Sequence, residues 1–135
     1  MARILIIEDN PTNLQLMVYL LEAFGHTPLE AMDGETGLEL VRRESPELIL
    51  CDIHLPGLDG FGVARQLKSQ PGLRAIPLIA VTALAMVGDR DRILSAGFDG
   101  YIAKPIAPET FVAQVEAFLP STAASSSTPP QDATP

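Results

Sequence analysis

Leu48-Ile49-Leu50-Cys51-Asp52 is four unbroken apolar residues followed by a carboxylate. A run this short and continuous fits a strand of a parallel sheet covered on both faces, because a half-exposed strand would alternate apolar with polar residues. Arg3 to Ile7 reads the same way and ends at Glu8-Asp9, and Ile76 to Val81 ends at Thr82. Between these strands apolar residues recur at helical spacing: Leu14, Val18 and Leu21, then Leu38 and Val41, then Phe61, Ala64 and Leu67.

The alternation continues outward. A weaker strand, Thr27 to Ala31, follows the first helix. Met86 to Ala96 reads as a fourth helix, Tyr101 to Ala103 as a short strand, and Phe111, Val115, Phe118 and Leu119 as the stripe of a fifth helix. Gly25 and Gly97 suit helix ends, Pro108 a first helical turn, and Pro120 a stop. Five strands alternating with five helices predict an α/β fold: an open, doubly wound parallel sheet with right-handed crossovers and ligands at the carboxyl ends of the strands.

Composition bounds the function. The 135 residues, 47% hydrophobic, make one domain, expected over 1–120. The segment 121–135, rich in Ser, Thr, Pro and Ala, has no aromatic or branched aliphatic residue to anchor it and is expected to be a disordered tail. Seventeen acidic against nine basic residues give a net charge of -8, which repels a phosphate backbone and argues against nucleic-acid binding. The longest largely apolar run, Leu78 to Val87, is far short of the ~20 residues of a membrane span, and the amino terminus lacks a signal-peptide core. A lone Cys51 within an apolar run reads as a buried residue in a reducing compartment, and a cytoplasmic location is expected.

At the strand ends stand Glu8 with Asp9, then Asp52, Thr82, and Lys104 with Pro105. Converging carboxylates repel one another, and a bound divalent cation relieves them most directly. Oxygen-only ligands point to magnesium, manganese or calcium rather than zinc. A lysine ammonium and a threonine hydroxyl beside that cation supply donors for a phosphoryl group, and a carboxylate can attack phosphorus to give an aspartyl phosphate.

In Ile6-Ile7-Glu8-Asp9-Asn10, Cys51-Asp52-Ile53-His54-Leu55-Pro56-Gly57-Leu58-Asp59-Gly60, Val81-Thr82-Ala83 and Lys104-Pro105, the chain resembles the response-regulator receiver domains of two-component signalling over about residues 3 to 119. Each motif alone is weak; in this order and spacing they are specific. The resemblance implies a flavodoxin-like sheet of order 2-1-3-4-5 and a family metal, magnesium, with manganese as a substitute. It implies Asp52 as phosphoacceptor, Asp9 as a direct metal ligand, Glu8 as a metal-site acid acting through water, and the His54 carbonyl oxygen as a further ligand. Lys104 would contact the phosphoryl oxygens, Thr82 would move to meet them, Ala83 would offer its backbone N–H, Pro105 would follow a cis peptide bond, and Tyr101 would be the switch aromatic. The implied partners are a sensor histidine kinase or histidine phosphotransfer protein and a downstream protein that reads helix four, strand five and helix five.

Other readings stand beside these. Tyr101 also fits a half-buried strand aromatic, and Thr82 alone a β-branched strand residue. The His54 side chain, two residues past Asp52, reads as a modulator of dephosphorylation rather than a ligand, and His26 as an ordinary loop residue. Gly57 to Gly62 is spaced wrongly for a nucleotide loop. Met86 and Val87 fit either core or a docking surface. The run 83–90 is similar to receivers of the DivK cell-division group and of hybrid kinases. Acting without an output domain, the protein would relay phosphate or regulate a kinase. The rival classes are a phosphorylation-independent interaction module and an aspartate-nucleophile phosphohydrolase; the latter typically carries a second acid where His54 stands.

Overall fold

The computed structural model describes residues 2–83 and 87–119. Its elements are β1 (Arg3–Ile7), α1 (Pro11–Ala23), β2 (Thr27–Ala31), α2 (Gly34–Glu44), β3 (Leu48–Cys51), α3 (Gly60–Lys68), β4 (Leu78–Thr82), α4 (Val87–Ser95), β5 (Gly100–Ala103) and α5 (Phe111–Phe118). All strand pairs are parallel and the sheet order is β2-β1-β3-β4-β5, the doubly wound order expected.

Successive strand residues point to opposite faces, so each continuous apolar run supplies two cores at once. Ile4, Ile6, Leu48, Leu50, Ile79 and Val81 pack under α1 and α5, against Leu14, Met17, Leu21, Phe111 and Val115. Leu5, Ile7, Ile49, Cys51, Leu78 and Ala80 face the other way, toward Leu38 and Val41 of α2, Val63, Ala64 and Leu67 of α3, and Ile93 of α4. Cys51 is buried, as expected of a small apolar residue, and burial pushes its thiol well above the ordinary range.

Local chemistry starts and stops the helices. The Asn10 side chain accepts from Asn13 N at 3.0 Å with Pro11 in the first helical position, and Asp33 and Asp59 cap α2 and α3 through Thr36 N (2.7 Å) and Gly62 N (2.9 Å). The Thr36 N–H holds the Asp33 carboxyl below the usual carboxylate range. Gly25 (φ 87°) and Gly97 (φ 114°) close α1 and α4 in the left-handed conformation that costs glycine least.

Several boundaries and one residue differ from the expectation; the fifth strand begins at Gly100, one residue before Tyr101. The fourth strand begins at Leu78, not Ile76: Ile76 N donates to Leu73 O (3.1 Å), and Pro77 has no N–H to give a ladder. The fifth helix begins at Phe111, with Pro108 in a turn before it whose Thr110 N–H donates to Ala107 O at 3.1 Å. The fourth helix runs from Val87 to Ser95; Met86, the Val87 side chain and the segment 121–135 lie outside the described residues.

His26 is no ordinary loop residue. It is 7% exposed, its Nδ1 accepts the Ala2 N–H at 3.1 Å, and its Nε2 lies 2.8 Å from Glu116 Oε2. The ring therefore carries its proton on Nε2 and joins the start of β1 to α5. Replacing His26 by Ala would leave a buried N–H unpaired and should lower unfolding free energy by about 1–3 kcal/mol in urea titrations.

Candidate functional site

Backbone pairing carries three strands one residue past their apolar runs. Glu8 N donates to Ala31 O (2.9 Å), Asp52 N to Ile7 O (2.9 Å) and Lys104 N to Thr82 O (2.9 Å). The side chains of Glu8, Asp52, Thr82 and Lys104 are thus set at the carboxyl edge by the sheet itself. Asp9 follows Glu8 and is exposed, whereas Glu8 is 1% and Asp52 6% exposed.

Lys104 joins the two buried acids. Its ammonium is 2.9 Å from Glu8 Oε1 and 3.1 Å from Asp52 Oδ2. Asp52 Oδ1 accepts from His54 N at 3.2 Å, and Glu8 Oε2 from Asn10 N at 3.1 Å. Burial pushes the Glu8 carboxyl above its ordinary value; Lys104 and the Asn10 N–H offset this in part, and the Asp52 charge adds to the rise. For Lys104, burial alone would lower the ammonium's pKa, but Glu8 and Asp52 together hold it above the usual lysine range.

The donor set fits a hard divalent cation. One oxygen from each of Glu8, Asp9 and Asp52 lies within 4.8 Å of the others. Glu8 Oε1 is buried without an aligned hydrogen-bond donor among the described residues, its contact with Lys104 being one of charge. Three carboxylates against one ammonium also leave two negative charges, which a magnesium ion would cancel.

Thr82 is fully buried at the end of β4, and Ala83 follows it, exposed. Tyr101 lies opposite Ala80 in β5, back from the edge; it is half-buried against the core under α2, α3 and α4, with Arg90 Nη1 3.5 Å from its hydroxyl. The Lys104-Pro105 peptide bond is cis. The His54 side chain is exposed and only its backbone turns inward. Sequence reasoning did not single out Asn10 as a partner of Glu8, because its donor is a backbone N–H that any residue but proline would carry.

The amino-acid sequence matches the model of the response regulator receiver domain over residues 4–116. The chain belongs to this family. Among its relatives, the polar-differentiation response regulator DivK of Brucella anthropi is 42% identical over 116 residues, covering 86% of this chain and 94% of that protein. The receiver domain of a histidine kinase from Syntrophus aciditrophicus shares 30% identity with a TM-score of 0.82, over 98% of both chains. That of the sensor histidine kinase PA1611 from Pseudomonas aeruginosa holds magnesium in its active-site cleft; it is 33% identical with a TM-score of 0.79, over 87% of this chain and 96% of that one. The chemotaxis regulator CheY4 of Vibrio cholerae, 23% identical with a TM-score of 0.84 over 88% of this chain and 99% of that one, shares the fold. Receiver domains bind magnesium at such an acidic pocket and accept phosphoryl groups as signalling modules. No helix among the described residues is long and apolar enough to cross a membrane.

In this receiver the raised Glu8 pKa sets a pH dependence. A carboxyl whose folded-state pKa is raised takes up its proton at a higher pH than a free glutamate, and the proton competes with the cation. In calorimetric titrations magnesium affinity should therefore begin to fall with decreasing pH while still above the ordinary glutamate range, and more steeply than in Glu8→Gln.

Proposed function

We propose that this receiver is a magnesium-dependent phosphoryl switch in which Asp52 accepts the phosphoryl group of a phosphohistidine on a sensor histidine kinase or histidine phosphotransfer protein. The observation that carries the reading is the setting of the Asp52 carboxylate. It is nearly buried, bonded to the Lys104 ammonium through one oxygen and to the His54 N–H through the other, and flanked by Glu8 and Asp9.

In the transfer, an Asp52 oxygen forms the new O–P bond as the N–P bond breaks, and the imidazole nitrogen of the donor keeps the electron pair. Glu8, Asp9, Asp52 and the His54 carbonyl would hold the cation. When bound, magnesium supplies positive charge opposite the phosphoryl oxygens, and manganese, another oxygen-binding divalent ion, should substitute. Lys104 neutralises a second phosphoryl oxygen, and the Thr82 hydroxyl and Ala83 N–H donate to the others.

Asp52 has no second acid two residues on, and His54 in that position is exposed, which weighs against hydrolysis of external phosphoesters. A phosphorylation-independent module would have no use for an under-neutralised acid cluster. We place the reaction in the cytoplasm, and likeness to DivK puts polar differentiation first among candidate pathways. Onward relay to a phosphotransfer protein and regulation of a kinase both use this chemistry; the lifetime of the acyl phosphate separates them.

Intact-mass measurement after incubation with acetyl phosphate and magnesium tests the reading. A labile gain of one phosphoryl group is expected, lost in Asp52→Asn and with EDTA; no gain from acetyl phosphate or from kinase donors would leave the interaction module standing. The output should run through Thr82. A hydrogen bond from its hydroxyl to a charged oxygen is worth about 1.5–3 kcal/mol, roughly a ten- to hundredfold population change. Thr82→Ala should still be phosphorylated while the Tyr101 ring signals in NMR spectra shift much less than in wild type.

A further inference from the structure

Gly57-Leu58-Asp59-Gly60-Phe61-Gly62 takes no part in the phosphoryl chemistry, yet the segment 53–59 leads from Asp52 into α3 and bonds to the Asp52 carboxylate through the His54 N–H. It carries the His54 carbonyl, one of the oxygens assigned to the cation above. Three glycines press on it. A Cβ on Gly60 would lie 2.5 Å from the Asp52 carbonyl oxygen and 2.7 Å from the Ile53 Cα, both of them backbone atoms. On Gly34, the first residue of α2, it would lie 2.5 Å from the Leu58 carbonyl oxygen, and on Gly62 2.4 Å from a Leu58 methyl.

Gly60 is the closest of these to the chemistry. Its N–H donates to Ile53 O at 2.8 Å, which closes the segment onto the end of β3. Its φ is not positive, so it is required for space and not for conformation. A crowded side chain can change rotamer, but backbone in a close-packed interior moves only by dragging its neighbours. Here those neighbours are ligands: the Asp52 carboxylate is tied to His54 through the His54 N–H, 3.2 Å from Oδ1. Asp59 seats the helix above them by accepting Gly62 N at 2.9 Å.

We infer that Gly60 is a positioning residue for the cation site: its missing Cβ lets the first turn of α3 rest on the backbone of Asp52 and Ile53 and holds the Asp52 carboxylate and the His54 carbonyl oxygen in one arrangement with Glu8 and Asp9. The inference rests on the magnesium reading proposed above. It extends to which cation is favoured, since magnesium demands near-octahedral oxygens at about 2.0–2.1 Å, whereas calcium accepts irregular sets at about 2.3–2.6 Å. A displaced backbone should therefore cost magnesium more than calcium.

The test is calorimetric titration of the full chain with magnesium chloride and with calcium chloride, at a temperature where circular dichroism shows each variant folded. Gly60→Ala should weaken magnesium about tenfold or more and calcium no more than about threefold. Gly100→Ala is the control for crowding: its Cβ would lie 2.5 Å from the Phe118 ring, at the far end of β5 from the site. It should lower Tm and leave both affinities within about twofold of wild type.

Magnesium affinity within about twofold of wild type in Gly60→Ala, or equal loss for both ions, would overturn the inference while leaving the site reading intact. A wild-type chain that takes no magnesium would overturn both. If Gly60→Ala does not fold, Asp59 decides. Asp59→Ala removes the cap and the charge and should bind magnesium about threefold more weakly than Asp59→Asn, which removes only the charge; equal affinities would overturn the inference.

Discussion

Two buried carboxylates share one ammonium at the carboxyl edge of the sheet, and the rest of the molecule is organised around that arrangement. Glu8 and Asp52 have almost no solvent to stabilise their charge, and Lys104 reaches both. A single cation cannot balance these two acids and Asp9 together. The remaining negative charge makes the edge receptive first to a divalent ion. In the proposed reaction, with that ion in place, Lys104 would share its charge with the arriving phosphoryl group.

Such charges can stay near-buried only if their backbones are immobile, and the two cores supply this. Residues of β1, β3 and β4 alternate between the core under α1 and α5 and the core under α2, α3 and α4, so these central strands are gripped from both sides, and β2 and β5 flank them. One further parallel hydrogen bond on three of these strands, from Glu8, Asp52 and Lys104, then sets the acids and the lysine in register. The connection from Asp52 to α3 has no strand partner, and close backbone packing at glycine takes over there.

Much of this was legible in the residues. Unbroken apolar runs ending in polar groups revealed the buried strands of the parallel sheet, and the strand-end rule placed Glu8, Asp9, Asp52, Thr82 and Lys104 at one edge before any coordinates. Boundaries were less legible where a proline left apolarity unchanged but removed a donor, as at Pro77, or where a turn preceded the helix, as at Pro108. His26 escapes a sequence reading because its partners, Ala2 and Glu116, lie 24 and 90 residues away, and no local pattern records a contact at that separation.

By itself the sequence determined the order of elements, the family and the kinds of groups at the strand ends, because these depend on periodicity and on residue chemistry read along the chain. Only the tertiary structure decided which oxygen of Asp52 meets Lys104 and which meets His54, that Glu8 is buried while Asp9 is exposed, and that Gly60 rests on the Asp52 backbone. Distances between strands and the exclusion of water arise from packing elements far apart in the chain, and pattern along one dimension does not contain them.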